Sequence, residues 1–224
     1  GMGVLGENGL GSVEAQALSQ TDVPIVMGTF GKAVGTAGAF IAGSQALIDY
    51  LVNFAKHYVY STAMPPAQAV ATLYSLTHIA ADSSRTDALH HNIAYFRERF
   101  STQIGSARCS NDDSEDENGH ILKASSNNAS SIKASSIKAS SNTHHDLVLA
   151  NSHSAIQPII VGSPERALAL SDALKARGIW IPAIRYPTVP KGEDRLRITL
   201  SATHTQQDID VLVDAIALAM ESIS

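Results

Sequence analysis

The chain has almost no cysteine. Cys109 is the single one among 224 residues, so no disulfide can form within the chain, and a reducing cytoplasmic compartment is the expectation. It also lacks an apolar run of roughly 18 residues, the length needed to cross a membrane as a helix. No basic n-region followed by an apolar stretch marks its start as a secretory signal. Excess positive charge is missing too. Lys and Arg number 16 against 21 Asp and Glu, a net charge of −5, which argues against nucleic acid or an anionic membrane as the main partner. What remains is a globular composition, 44% hydrophobic and 17% charged, on a length that suits one large domain or slightly more.

The opening, GMGVLGENGLGS, is glycine-rich and reads as a loop in the middle of a domain, with no helix or strand leading into it. Residues 24–29 (PIVMGT) then form an apolar run expected to be a buried strand, and a second apolar segment covers 37–42. Leu47, Leu51 and Phe54 recur at helical spacing within 44–56. Pro65 and Pro66 suit the first turn of a helix reaching about residue 80, and Leu89, Ile93, Phe96 and Phe100 give 86–104 an amphipathic helical face. Beyond it the composition breaks. An acidic stretch at 111–117 precedes a pentapeptide repeat at 122–141, LKASSNNASSIKASSIKASS, too poor in large apolar groups to offset the entropy of ordering it. Residues of about 110–146 are therefore expected to be a disordered surface insertion. Strands are expected again at 154–162, 179–184 and 195–200, with a helix from Pro164 to near Gly178. The last helix is capped by Thr205 with Asp208 three residues on, and carries a stripe of Ile209, Leu212, Val213, Ile216 and Met220.

One stretch carries chemistry. In TFGKAVG (29–35), Lys32 sits on a glycine turn at the end of the expected strand, with Thr29 three residues before it. A rigid strand end aims a side chain, and Gly31 and Gly35 let a flat ligand approach the backbone. An amine and a hydroxyl on one turn suit an aldehyde cofactor bearing a phosphate, and pyridoxal phosphate (PLP) has that chemistry, with lysine as its anchor. A Gly-Lys turn is equally the ordinary place for a solvated lysine, and the motif alone does not separate the two. A nucleotide-binding P-loop is excluded, because Ala33 stands where Ser or Thr must follow the lysine. Ser61 and Thr62 precede the proline-started helix, where they could meet a phosphate or merely cap the helix. Thr188 lies in a proline-rich loop. Arg197 lies within a strand, where its partner is either a substrate carboxylate or an acidic side chain of the same chain. His90-His91 and His144-His145 come without acidic or cysteine ligands at metal spacing, so no metal is expected. Cys109 is an ordinary thiol.

Taken together, GVLGENGLGS, TFGKAVGTAGAF, YSTAMPPAQA, SAIQPIIVG, AIRYPTVPKGEDRLRITLSATHT and the DID of the closing helix resemble the α-oxoamine synthase family of PLP-dependent enzymes, in that family's order. The resemblance implies an α/β transferase of fold type I. Residues 1–80 would be the end of the large PLP-binding domain, and 81–224 an α+β C-terminal small domain interrupted by the insertion. It implies that Lys32 anchors PLP covalently and moves protons at the substrate Cα, that Thr29 contacts the cofactor phosphate, and that Ser61 and Thr62 reach the phosphate of a neighbouring subunit in a homodimer. Thr188 would contact substrate and Arg197 hold an amino-acid carboxylate. The implied reaction is the decarboxylative condensation of L-alanine with a pimeloyl thioester (pimeloyl-CoA or pimeloyl-carrier protein) in biotin synthesis. Branches of the family that use glycine, and a non-catalytic fragment, are the alternatives. In the family Asp-x-Ala-His runs into the glycine stretch. The expectation is thus that this chain is a fragment, and that the aspartate for the cofactor's ring nitrogen and the aromatic that stacks on the ring lie upstream.

Overall fold

The computed structural model describes residues 1–105 and 147–223; the expected insertion at about 110–146, Cys109, His144 and His145 lie outside them. The glycine-rich opening is stapled to itself, with Gly3 N–H donating to Gly9 O at 2.7 Å and Gly11 N–H to Leu5 O at 2.8 Å. It runs into a single helical turn, α1 (Ser12–Ala15), which the periodicity does not show because four residues carry no period. The apolar run becomes β1 (Val26–Thr29), paired antiparallel with β2 (Ala39–Ala42) from Val26↔Ala42 to Thr29↔Ala39, but it is not the buried strand expected, since Met27 is 67% exposed. Glycine is needed at 28, opposite Phe40, because a Cβ there would collide with the Phe40 ring. That ring is free to stack on Phe30, with centroids 5.5 Å apart.

Three helices follow. α2 (Gln45–Phe54) starts where the Ser44 hydroxyl accepts from Leu47 N–H, α3 (Lys56–Val59) is one turn, and α4 (Pro66–Ala81) begins at the expected proline. The helical stripe read for α2 is present but is not a core stripe. The helix buries no residue, and Phe54 remains 67% exposed, stacked on Tyr50. α5 (Ser84–Ile104) behaves as its pattern demands, burying Leu89, Ile93, Phe96 and Phe100.

The remaining strands form a four-stranded sheet in the order β3-β4-β6-β5, made of β3 (Val148–Leu149), β4 (Ile156–Ile160), β5 (Ala183–Ile184) and β6 (Arg195–Thr199). Two prolines shape it. Pro158 sits inside β4, and its carbonyl accepts from Ala150 N–H on the β3 side. In an antiparallel ladder a residue's N–H and C=O point the same way, so the donor that proline lacks faces two-residue β3, where the least is lost. Pro182 truncates the strand expected at 179–184 to two residues, although its carbonyl still accepts from Arg197 N–H. α6 (Pro164–Ala176) is capped by the Ser163 hydroxyl. α7 (Gln206–Ile223) opens with the expected box: the Thr205 N–H and hydroxyl both donate to Asp208 at 2.8 Å, and Asp208 N–H donates back to the Thr205 hydroxyl.

These elements fall into two compact units. The first is Gly1–Phe96, His153–Ile156 and Thr199–Asp210, and the second is Arg97–Ser152, Gln157–Ile198 and Val211–Ser224. The second holds a dense core that includes Phe100, Leu149, Ile159, Leu170, Leu174, Leu196, Val213 and Ile216, all fully buried. In the first, Phe30, Val34, Leu89, Ile93 and Phe96 are buried, and Asn92 donates to the carbonyls of Ser201 and His204.

Candidate functional site

Lys32 is presented by a loop closed at its neck. Phe30 N–H donates to Gly38 O, Thr36 N–H to Phe30 O and Gly35 N–H to Lys32 O, all within 2.9 Å. Phe30 and Val34, on either side of Lys32, are buried. Their burial anchors the loop and turns Lys32 outward, where its side chain is exposed and its amine has no hydrogen bond or ion pair among the described residues. Thr29, the last residue of β1, is exposed three residues before it. Gly35 has φ 73°, a left-handed conformation that glycine adopts without strain, and a Cβ there would meet nothing within 4 Å. At Gly31 the nearest atom to such a Cβ is Thr36 O at 3.7 Å. The space beside the lysine is open, as a flat ligand requires.

The loop is met by two segments that the sequence pattern did not reveal. The first, α4, supplies three polar side chains. Gln68 Nε2 donates to Ala37 O (2.7 Å), the Thr72 and Thr36 hydroxyls share a hydrogen bond (2.8 Å), and the Ser75 hydroxyl donates to Val34 O (2.6 Å). Their spacing of i, i+4 and i+7 is the available signal, a polar stripe along one face of the helix. The second, the N-terminal loop, approaches Ala33, since a Cβ added at Gly3 would lie 2.8 Å from the Ala33 methyl. That loop is shaped by Glu14, whose carboxylate accepts from the Asn8 side-chain amide (2.6 Å) and from Leu10 N–H (2.9 Å) and Asn8 N–H. These bonds, the Asn8 amide foremost and then Leu10 N–H, hold the Glu14 carboxyl below its ordinary pKa.

Ser61 and Thr62 are exposed in the segment between α3 and α4. They do not cap α4, whose N-cap is Pro65 with no side-chain cap bond, so the capping role considered for them is not the one they have.

In the second unit, Thr188 is exposed on the loop that joins β5 to β6, with its N–H on Arg185 O. The foot of that loop is fastened by Asp194, only 1% exposed, which accepts from Tyr186 N–H at 3.0 Å through Oδ1. Along β6 Leu196 and Ile198 point into the core, which puts Arg195, Arg197 and Thr199 on the opposite face. Arg195 pairs with Glu193 at 2.6 Å. Arg197 is exposed and has no ion pair among the described residues, so the intramolecular salt bridge considered for it is not found there. Among the described residues no three His, Cys, Asp or Glu side chains are grouped to hold a metal ion, and no helix is long and apolar enough to cross a membrane.

The model of the family Aminotransferase class I and II matches residues 3–114 and 111–216. The chain belongs to the class I and II aminotransferases. Within this family it is 41% identical over 222 residues to 8-amino-7-oxononanoate synthase of Cellvibrio japonicus (strain Ueda107), a match covering 99% of this chain and 45% of that protein. The chain thus spans less than half the length of the curated relatives it matches. Among solved structures it resembles 8-amino-7-oxononanoate synthase from Francisella tularensis (24% identity, TM-score 0.72, 99% of this chain and 53% of that one). It also resembles SPT with PLP (21% identity, TM-score 0.73, 99% and 46%). The class I and II aminotransferase chain therefore has the α/β architecture of these fold type I enzymes.

Proposed function

We propose that this aminotransferase-family chain is the lysine-bearing portion of a PLP-dependent 8-amino-7-oxononanoate synthase, which condenses L-alanine with pimeloyl-CoA or a pimeloyl-carrier protein. The observation that carries the reading is the Lys32 loop: an exposed amine without a partner among the described residues, three residues after an exposed threonine, with open space at Gly35, on a backbone hydrogen-bonded to α4. The residues present fit the cofactor. Lys32 Nζ would hold its aldehyde carbon, Thr29 would donate to its phosphate, and Ser61 and Thr62 would donate to the phosphate in a neighbouring subunit of a homodimer. PLP, when bound, supplies an electron sink for the negative charge left at the substrate Cα. Lys32 would also be the base that takes and returns a proton at that carbon. Arg197 holds the alanine carboxylate by a charge-assisted pair, and Thr188 contacts the substrate from its loop. On this reading 1–80 would be the end of the large domain and 81–224 the small domain. A single cysteine in the sequence fits a reducing, cytoplasmic setting.

The experiment is an assay of the intact protein with pimeloyl-CoA and either alanine or glycine, with borohydride reduction and peptide mass analysis run in parallel. Alanine-dependent product and a cofactor adduct on Lys32 that is lost in Lys32→Ala are expected. Preference for glycine would instead favour a glycine C-acetyltransferase or 5-aminolevulinate synthase. Absence of any adduct would favour a non-catalytic protein.

A further inference from the structure

We infer that α4 is the positioning element for Lys32, acting through Gln68, Thr72 and Ser75. The inference rests on the reading of Lys32 as the reactive amine. Among the described residues Thr72 is the single buried residue of α4, and it is polar. Apolar contact is non-directional and tolerates sliding, whereas hydrogen bonds lose strength steeply with angle. Gln68 to Ser75 spans two turns, about 10 Å of helix. Over that length α4 engages Ala37 O, the Thr36 hydroxyl and Val34 O, three successive points on the return limb of the Lys32 loop. Two of these acceptors are backbone carbonyls of the loop, not side chains. The helix therefore fixes the course of the main chain after Lys32, and with it the direction in which the lysine leaves the loop. The partly buried Ser75–Val34 and Thr72–Thr36 bonds hold the portion nearest the amine, and a small change there displaces Nζ through the whole length of its side chain.

The test uses the intact protein with Thr72→Val, Ser75→Ala and the conservative Thr72→Ser. First, hydrogen exchange of cofactor-free protein is followed across residues 30–38. Thr72→Val and Ser75→Ala should each speed exchange there by roughly five- to tenfold, the effect of removing one hydrogen bond, with Thr72→Ser close to wild type. Second, in cofactor-loaded protein kcat should fall by a similar factor while KM for the amino acid holds, and the pH at which the bound cofactor changes absorbance should move. Unchanged exchange across 30–38, or faster exchange with unaltered kcat and absorbance profile, overturns the inference. Should Thr72→Val fail to fold, Gln68→Leu at a half-buried position carries the same measurement. If Lys32→Ala keeps activity and its cofactor band, the reading of Lys32 has failed, and the exchange results then stand by themselves as a statement about the loop.

Discussion

Gly3 offers the sharpest test of how the Lys32 loop is packed. Its φ is 77°, and an alanine there pays about 1–2 kcal/mol for the left-handed backbone. The added Cβ would also lie 2.8 Å from the Ala33 methyl, well inside the roughly 3.5–4.0 Å at which carbon atoms attract. Overpacking of this kind costs typically about 1–3 kcal/mol, so Gly3→Ala should destabilise by about 2–5 kcal/mol in all. The two parts can be separated. Ala33→Gly removes the atom that is struck, and the next neighbour, Ile79 Cδ1 at 3.6 Å, is an ordinary contact. The double variant should therefore recover the overlap and keep the backbone cost, giving a coupling energy of about 1–3 kcal/mol in a double-mutant cycle. Urea unfolding of the intact protein, followed by far-UV circular dichroism, measures all four corners. Additivity within about 0.5 kcal/mol would show that the glycine loop does not touch Ala33, leaving α4 as the segment that holds the Lys32 loop.

Four further outcomes follow from the same structure. Arg197→Lys, which keeps the charge but not the planar fork, should raise KM for the amino acid about 10- to 100-fold in steady-state assays with kcat little changed. Phe100→Ala, at a fully buried position of the second unit, should cost about 3–5 kcal/mol in urea unfolding. Ser163→Ala removes the hydroxyl that accepts from Arg166 N–H at the start of α6 and should cost about 1 kcal/mol by the same measurement. Glu14 has a lowered folded-state pKa, so its contribution is fully present above the ordinary glutamate value and is lost as pH falls through the lowered one. Glu14→Gln should accordingly flatten the acid limb of stability against pH, and an unchanged limb would show that the loop does not depend on the ionised carboxylate.

The strand end and glycine turn that carry Lys32 were legible in the sequence because their parts are local. Thr29, Lys32 and the glycines occupy seven consecutive residues, and the chain itself brings them together. Elements with a long period were legible for the same reason. The faces of α5 and α7, the proline that starts α4 and the Thr205–Asp208 box each announce themselves within one or two turns. What escaped was of two kinds. Short pieces such as α3 and β3 hold too few residues to show a period, and Pro182 shortened a strand whose apolar run was correctly placed. The second kind matters more for function. The bonds of Gln68, Thr72 and Ser75 cross 31 to 41 residues to reach the loop. A period-3.6 search scores apolar faces, so a polar stripe on a helix reads as a solvated side rather than as the face that does the holding. Arg197 shows the same limit from the opposite direction. Its strand position suggested a partner but could not say whether the chain supplies one. The fold puts Glu193 on Arg195 and leaves Arg197 without an ion pair among the described residues, so its charge is available to a ligand carboxylate. Candidate site residues are thus written in short motifs, while the hydrogen bonds that hold their loop come from distant segments and become visible only once the chain is folded.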